Sequence, residues 1–205
     1  MLRVEKTEVF GWETAIRGMR NPLNSWHKSD SVFTMGDNFL GENDLALMKG
    51  LSNAGSDHAK FLRMINVTCD ITAPLYWWKE FDTYKVGTVA NSCSTMHKIH
   101  AKEFTLDDFS HEHLTAKAEK CLLNTIEVLN DYRNEFLDLT DKRYWWQMIQ
   151  LLPTSYNQKR TVQLNYQVLK NMYHSRKNHK LDEWHTLCVW IENLPYFKEI
   201  CDEQR

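Results

Sequence analysis

The segment that decides the fold lies in the first half of the chain and reads Leu62-Arg63-Met64-Ile65-Asn66-Val67-Thr68-Cys69-Asp70-Ile71-Thr72-Ala73-Pro74-Leu75-Tyr76. Apolar and polar residues alternate from Ile65 to Thr72, and this period of two is typical of a strand with one buried face. Pro74 suits the first turn of a helix, because its missing amide hydrogen costs nothing there. The segment therefore predicts a strand over 62–72 and a helix over 74–84.

Helical periodicity dominates the rest of the chain. Apolar residues recur at three- and four-residue steps, which predicts further helices over 8–20, 43–53, 115–139, 141–151, 162–175 and 182–193. Asn43 is the predicted cap of the 43–53 helix, a loop is predicted over 22–42, and irregular or extended chain over 87–95. With few strands and no internal repeat, the pattern favours an α+β fold, a helix-rich single domain (1–205) around a small sheet.

Composition excludes several classes of protein. A hydrophobic share of 42% with 25% charged residues is typical of a soluble globular protein. No apolar run approaches the roughly 20 residues of a membrane span, and the N-terminus lacks the apolar stretch of a signal peptide, so we expect a cytoplasmic protein without a membrane partner. Five cysteines without a close pair argue against a disulfide framework. A net charge of −2 argues against an extended nucleic-acid footprint.

A second segment is more specific. Leu152-Pro153-Thr154-Ser155 is followed after nine residues by Asn165 and then by Arg176. Together with the 62–76 segment, this spacing resembles the flavin-dependent thymidylate synthase family, which has Leu-Pro-x-Ser, an asparagine that opens a helix, and an arginine about three turns later. The resemblance extends to an N-terminal helix at 15–20 and thus spans most of the chain. Neither a Gly-rich dinucleotide loop nor a P-loop is present, so the usual motifs for nucleotide binding are excluded.

The resemblance implies a cofactor, a substrate and an assembly. In the family, FAD lies at the interfaces of a homotetramer and carries hydride, while dUMP stacks on the flavin and receives a methylene group from methylenetetrahydrofolate, with NADPH as the reductant. Carried over by position, the implied site residues are Ser94 for catalysis beside the pyrimidine, Tyr84, Lys85 and Asn165 for the cofactor, and Glu80 and Arg176 for the nucleotide. No metal ligand is implied.

The family's signature is degenerate in this chain. The family has Arg-His-Arg, seven residues and then Ser, whereas this chain has Tyr84-Lys85-Val86, seven residues and then Ser94. Without a one-residue insertion after Pro74, the matching residues would instead be Thr83-Tyr84-Lys85 and Cys93. We adopt the first register because Asn91 then matches as well. In both registers Lys85 is the only remaining cation, and a lysine binds phosphate as a point charge instead of a bidentate fork.

Three further family residues are replaced: a strand histidine by Met64, an arginine past the serine by Met96, and an arginine before Leu-Pro by Ile149. Three functions therefore stay open. The chain is a divergent flavin-dependent thymidylate synthase-type methyltransferase, a catalytically degenerate protein that binds or sequesters a nucleotide, or a purely structural protein.

Each singled-out residue also has an ordinary explanation. Arg176 can complement the negative end of its helix, and Ser94 can be a loop hydroxyl. Short histidine pairs without a third ligand are usually surface residues, which applies to His97, His100, His111 and His113. Large aromatic residues on helices are usually core or interface, with base stacking as the alternative, and this applies to Tyr76-Trp77-Trp78 and Tyr144-Trp145-Trp146.

Overall fold

The structure is a computed structural model that describes residues 1–34 and 38–201. Its strands are β1 (Arg3–Phe10), β2 (Val32–Phe33), β3 (Asn38–Phe39), β4 (Asn66–Pro74), β5 (Val89–Ser92) and β6 (Asn157–Asn165). Its α-helices are α1 (Trp12–Arg20), α2 (Glu42–Asn53), α3 (Leu75–Phe81), α4 (Ala116–Leu139), α5 (Lys142–Leu151), α6 (Tyr166–Arg176), α7 (Asp182–Glu192) and α8 (Phe197–Cys201). Single 3₁₀ turns cover Asn21–Leu23, Trp26–Lys28, Ala59–Arg63 and Leu106–Asp108.

Four strands form one sheet in the order β1-β4-β6-β5, and β2 pairs with β3 in a separate antiparallel ribbon. The predicted class, a helix-rich fold around a small sheet, is confirmed. The chain divides into two compact units, of which the first contains Met1–Arg3, Asp70–Thr83 and Asn91–Thr161 and the second contains Val4–Cys69, Tyr84–Ala90 and Val162–Arg205. The single-domain organisation stays a prediction.

The first unit has its core under α4 and α5. These two helices pack against each other, and they bury an apolar cluster made by Ile99, Phe104, Phe109, Leu122, Ile126, Leu129 and Met148. A second group surrounds α3, where Trp77 and Trp78 are almost fully buried. The Trp78 indole donates to the carbonyl oxygen of Gln158 at 3.0 Å, and the Arg160 guanidinium lies 4.1 Å above the indole ring. The ordinary explanation of this aromatic pair, core packing, therefore applies.

The second unit has an aromatic core between α1, α6 and α8. The ring of Trp12 lies edge-on to Tyr166 at 5.3 Å, and Tyr166 in turn contacts Phe197 at 5.6 Å. The phenol of Tyr166 donates to the carbonyl oxygen of Pro195 at 2.7 Å, so its one buried polar atom is satisfied. Burial raises the pKa of Tyr166 well above its usual range. The start of α6 is thereby fixed in the core.

A buried ion pair between α1 and α2 lies in the second unit. Asp44 on α2 is fully buried, and one carboxylate oxygen accepts from Arg20 Nε at 2.6 Å. The other oxygen accepts from the hydroxyls of Ser29 and Ser31, each at 2.7 Å, and from the backbone amides of Asp30 and Ser31. One carboxylate thus joins α1, the 29–31 segment and α2.

Several predicted boundaries are wrong. The helix predicted over 8–20 begins at Trp12, because Gly11 adopts a left-handed φ of 95° and residues 3–10 are a strand. Asn43 is not the cap of α2; Gly41 holds that position, and the carboxylate of Asp30 accepts from the amides of Asn43 and Asp44. The strand predicted over 62–72 is β4 at Asn66–Pro74, preceded by a 3₁₀ turn, and the following helix ends at Phe81.

The helix predicted over 162–175 begins at Tyr166, since 162–165 end the strand β6. In the 22–42 loop the structure has two 3₁₀ turns and the β2–β3 ribbon, and residues 35–37 of it lie outside the described residues. The α4, α5 and α7 predictions are confirmed to within one residue at each end. None of the described helices is long and apolar enough to cross a membrane.

Candidate functional site

The signature loop, defined here as residues 84–90, runs along α6 in the second unit. At one end of the loop, the Tyr84 hydroxyl accepts from Nε of Arg176, the last residue of α6, at 3.0 Å. Three residues later, Gly87 lies against Asn165, which is the N-cap of the same helix. Since an 11-residue helix is about 16 Å long, the loop follows α6 from its C-terminal to its N-terminal end.

Arg176 is held by aromatic side chains. Its guanidinium carbon lies 4.7 Å from the centre of the Trp184 ring and 5.6 Å from that of Tyr84. Trp184, on α7, is fully buried and lies edge-on to Tyr84 at 6.1 Å. Cation–π contacts with both rings and one Nε hydrogen bond restrict the orientation of the guanidinium. Such a fixed fork is suited to binding an anion with defined geometry.

Asn165 is positioned by its own capping role. Its Oδ1 accepts from the amide of Val168 at 3.0 Å, which satisfies one of the donors at the start of α6. This bond determines which end of the side-chain amide carries the oxygen, so Nδ2 points towards Gly87. The residue is only 9% exposed. Asn165 therefore opens α6, in agreement with the resemblance, and presents a buried N–H group to the signature loop.

Gly87 and Thr88 complete this part of the loop. Gly87 has a φ of 79°, and a Cβ at this position would lie 2.7 Å from Asn165 Nδ2. The Thr88 hydroxyl is buried and has no hydrogen-bond partner among the residues that the structure describes. A buried hydroxyl without a partner costs free energy. The loop thus combines a close backbone approach with an unsatisfied polar atom, next to Asn165.

We expect Gly87→Ala to destabilise the protein by about 1–3 kcal/mol, because the new methyl group combines left-handed strain with a clash. Gly50→Ala is the matched control: Gly50 lies in α2, and a Cβ there would meet no atom within 4 Å. That substitution should stabilise the protein by about 0.5–1 kcal/mol. Urea unfolding of both variants measures the difference, and equal effects of the two substitutions would contradict the described loop geometry.

The other predicted site residues lie at different places. Lys85 is exposed on the signature loop and makes no ion pair with any described residue. Glu80 is half-buried near the end of α3, and Ser94 is exposed after β5, both in the first unit. The Ser94 hydroxyl oxygen accepts from the amides of Met96 and His97 at 3.1 and 3.0 Å. Ser94 therefore caps a turn, which supports its explanation as a loop hydroxyl.

A large cleft lies in the second unit beside Met64. The cleft has a volume of about 950 Å³. Its apolar wall includes Met64 and Phe61, and its charged or titratable lining residues are Arg20, His27, Lys28, Asp57, His58 and Lys60. The size is that of a typical ligand cavity, and the Met64 side chain lies against Gly18 of α1.

The structure thus places the signature loop against both ends of α6, with Tyr84 at Arg176, Gly87 at Asn165 and Lys85 on the same loop. The sequence assigned no role in this site to Trp184, Gly87 or Thr88. The run Asp182-Glu183-Trp184 that follows Arg176 is part of the family resemblance and was the signal for Trp184. The roles of Gly87 and Thr88 follow from a close approach that only the folded chain shows.

Two further sequence features are the histidine pairs and the second aromatic pair, Trp145-Trp146. Within residues 1–34 and 38–201, no group of three or more His, Cys, Asp or Glu side chains is arranged to hold a metal ion. The second aromatic pair differs from the first: Trp145 is half-buried and donates to the Met96 carbonyl oxygen, whereas Trp146 is 42% exposed. Lys142 Nζ lies 5.9 and 5.7 Å from the centres of these two rings.

Comparison with known proteins identifies the fold. No protein-family model and no curated protein matches the sequence. Among solved structures, the chain is similar to two of the flavin-dependent thymidylate synthase (ThyX) of Helicobacter pylori, both with FAD and dUMP. The TM-scores are 0.72 and 0.71, each at 16% identity over 98% of both chains. At this identity the likeness establishes that the chain has this fold.

Proposed function

We propose that this protein binds FAD and a pyrimidine nucleotide of the dUMP type. The observation that carries the proposal is that the signature loop contacts both Arg176, through Tyr84, and Asn165, through Gly87; the sequence resemblance assigned Tyr84, Asn165 and Arg176 to these ligands independently of any coordinates. The similar structures from Helicobacter pylori contain FAD and dUMP, which supports the choice of ligands.

The residues of the signature loop fit a flavin. A flavin presents carbonyl oxygens and ring nitrogens, which need hydrogen-bond partners in a buried site. Asn165 offers an Nδ2 donor, the Thr88 hydroxyl has no partner in the described chain, and Gly87 lets the loop backbone approach Asn165 closely. Lys85 adds a cation on the same loop for the cofactor's phosphates. When bound, the flavin supplies hydride transfer, and the protein supplies binding and orientation.

Arg176 is the proposed cation for the nucleotide. Its guanidinium is held by Tyr84 and Trp184 before any ligand binds, so little side-chain entropy is lost on binding. Its position at the C-terminal end of α6 also complements the helix dipole, as the ordinary explanation requires. Complementing the helix dipole requires only the positive charge of Arg176, whereas binding a nucleotide also requires the fixed orientation of its guanidinium.

The enzymatic form of the proposal is methyl transfer to the pyrimidine, with methylenetetrahydrofolate and NADPH. The alternative is a catalytically degenerate protein of the same fold that holds a nucleotide. Two observations favour this alternative: the Ser94 oxygen is engaged by two backbone amides, and the signature loop keeps a single cation, Lys85. Both forms share the binding site and differ in turnover.

The two forms are separated by one assay. Protein saturated with FAD is mixed with NADPH, methylenetetrahydrofolate and dUMP, and NADPH oxidation and dTMP formation are followed. Turnover that requires dUMP supports the enzyme, and binding of FAD and dUMP without turnover supports the degenerate protein. If neither FAD nor any pyrimidine nucleotide binds, the proposed function is wrong and the structural explanation remains.

The proposal also covers the oligomeric state and the cellular location of the protein. We propose a homo-oligomer, a tetramer by resemblance, in the cytoplasm. Light scattering on the purified protein is expected to give about four times the 24.4 kDa chain mass. A monomeric mass at micromolar concentration would contradict the tetramer.

A further inference from the structure

The turn that joins α6 to α7 covers residues 177–181 and lies in the second unit. The amide of His179 donates to the carbonyl oxygen of Arg176 at 2.9 Å, so the turn begins on the residue proposed to bind the nucleotide. At its other end, the carbonyl oxygen of Leu181 accepts from the amide of Trp184 at 3.1 Å, in the first turn of α7. The ring of Trp184 in turn contacts the guanidinium of Arg176.

The side chain of His179 connects the two ends of this turn. Its Nδ1 accepts from the amide of Leu181 at 3.2 Å. Because a backbone amide can only donate, this bond requires an unprotonated Nδ1, and the neutral imidazole then carries its proton on Nε2. The ring is half-buried and lies edge-on to Trp184, with 6.1 Å between the ring centres. His179 therefore contacts both the residue that precedes α7 and the indole that holds Arg176.

The bond from Leu181 to His179 helps to define where α7 begins. Leu181 is the N-cap residue of α7, and its apolar side chain gives no capping hydrogen bond. An acceptor two residues before an amide is the geometry by which asparagine side chains stabilise turns, and His179 Nδ1 provides it here. Trp184 is the third residue of α7, so the start of the helix determines where its indole lies.

The described contacts form a closed cycle through four residues: Arg176, His179, Leu181 and Trp184. We propose that His179 is a positioning residue for Arg176, which acts through Leu181 and Trp184 to hold the guanidinium in the orientation that the nucleotide requires. The inference rests on the proposed function and deepens it, because it assigns this support to a residue to which the family resemblance gave no role.

The first test measures dUMP affinity by isothermal titration calorimetry. His179→Ala should bind dUMP about three- to tenfold more weakly, which is the effect of one lost hydrogen bond. His179→Asn should restore most of that affinity, because the asparagine Oδ1 can accept from the amide of Leu181 in place of Nδ1. The control is His185→Ala, which removes the exposed histidine next to Trp184 on α7 and should leave the affinity unchanged.

A double-mutant cycle then separates positioning of Arg176 from a general effect on the fold. Arg176→Lys keeps the positive charge and removes the planar guanidinium. In the Arg176→Lys background, His179→Ala should therefore lower dUMP affinity by less than about twofold. Thermal unfolding of each variant without ligand sets the temperature below which its titration is run.

The outcomes distinguish this inference from the proposed function. An unchanged dUMP affinity in His179→Ala overturns the inference and leaves the proposed function standing. An equal loss with and without Arg176→Lys also overturns it, because His179 then does not act through the guanidinium. If the unaltered protein binds neither FAD nor dUMP, the proposed function fails, and the inference fails with it.

Discussion

Replacing Asp44 by alanine should lower the free energy of unfolding by about 3–5 kcal/mol. The carboxylate accepts hydrogen bonds from Arg20, Ser29, Asp30 and Ser31. Its removal leaves the Arg20 guanidinium, which is 4% exposed, without a counter-charge in the interior. Leaving one buried charge without its partner destabilises the folded state by more than the intact pair stabilises it. We therefore expect this substitution to lower the free energy of unfolding more than the loss of a single apolar contact.

Urea unfolding of Asp44→Ala and of Asp131→Ala measures this effect. Asp131 is an exposed carboxylate on α4 with no side-chain hydrogen bond or ion pair to residues 1–34 or 38–201, and its removal should change stability by less than about 0.5 kcal/mol. Asp44→Asn is a useful intermediate, because it keeps the shape and removes the charge. Equal stability of the Asp44 and Asp131 variants would show that the buried network is not formed.

The same carboxylate makes stability depend on pH. Burial alone would raise the pKa of Asp44, but the hydrogen bonds from Ser29, Ser31 and Arg20 outweigh burial and hold the pKa below its usual range. A carboxyl group with a lowered pKa contributes stability that is complete above its unfolded value, about 3.9, and is lost as the pH falls through the folded value. Thermal unfolding from pH 7 to pH 2 should show this loss in the unaltered protein, and a smaller loss in Asp44→Ala.

Replacing Arg176 by alanine should weaken dUMP binding by about 100-fold. The substitution removes a guanidinium whose plane is fixed by Trp184 and Tyr84 before the ligand arrives. Arg176→Lys keeps the positive charge at the end of α6 but loses the planar fork and the stacking, so we expect a loss of about tenfold. This pair of variants separates ligand binding from a helix-end role, because a helix end needs only the charge.

Calorimetry with dUMP measures the affinities of Arg176→Ala and Arg176→Lys. Lys120→Ala, which removes an exposed lysine on α4, is the control for loss of one surface charge. Loss of the cation–π contact with Trp184 also costs about 1 kcal/mol of stability, so each titration is run at a temperature where every variant is folded. Unchanged dUMP affinity in Arg176→Ala would remove Arg176 from the site and leave its ordinary explanation.

The sequence predicts the secondary structure correctly where it depends on local residues alone. The family resemblance implied that Asn165 opens a helix, and its side chain does cap α6, because Ncap geometry is a local property. The long period-3.6 pattern likewise located α4 to within one residue. The four site residues in the second unit were assigned by the family resemblance, and three of them, Tyr84, Asn165 and Arg176, lie at the contacts between the signature loop and α6.

The sequence did not predict local structure that depends on contacts with residues farther along the chain. β6 was read partly as helix because only Val162 and Leu164 are apolar in its C-terminal half, and a buried polar residue, Gln158, hides the strand pattern. Asn43 failed as a cap because Asp30, thirteen residues earlier, caps the helix from across the chain.

The most direct test of the proposed binding site is the visible absorbance spectrum of the protein after incubation with excess FAD and removal of free cofactor by gel filtration. We expect a flavin band that elutes with the protein, and a change in the shape of that band when dUMP is added. Asn165→Ala should retain less flavin than Asn171→Ala, an exposed asparagine two turns along the same helix. A colourless protein that FAD does not reconstitute would contradict the claim that this fold still binds its cofactor.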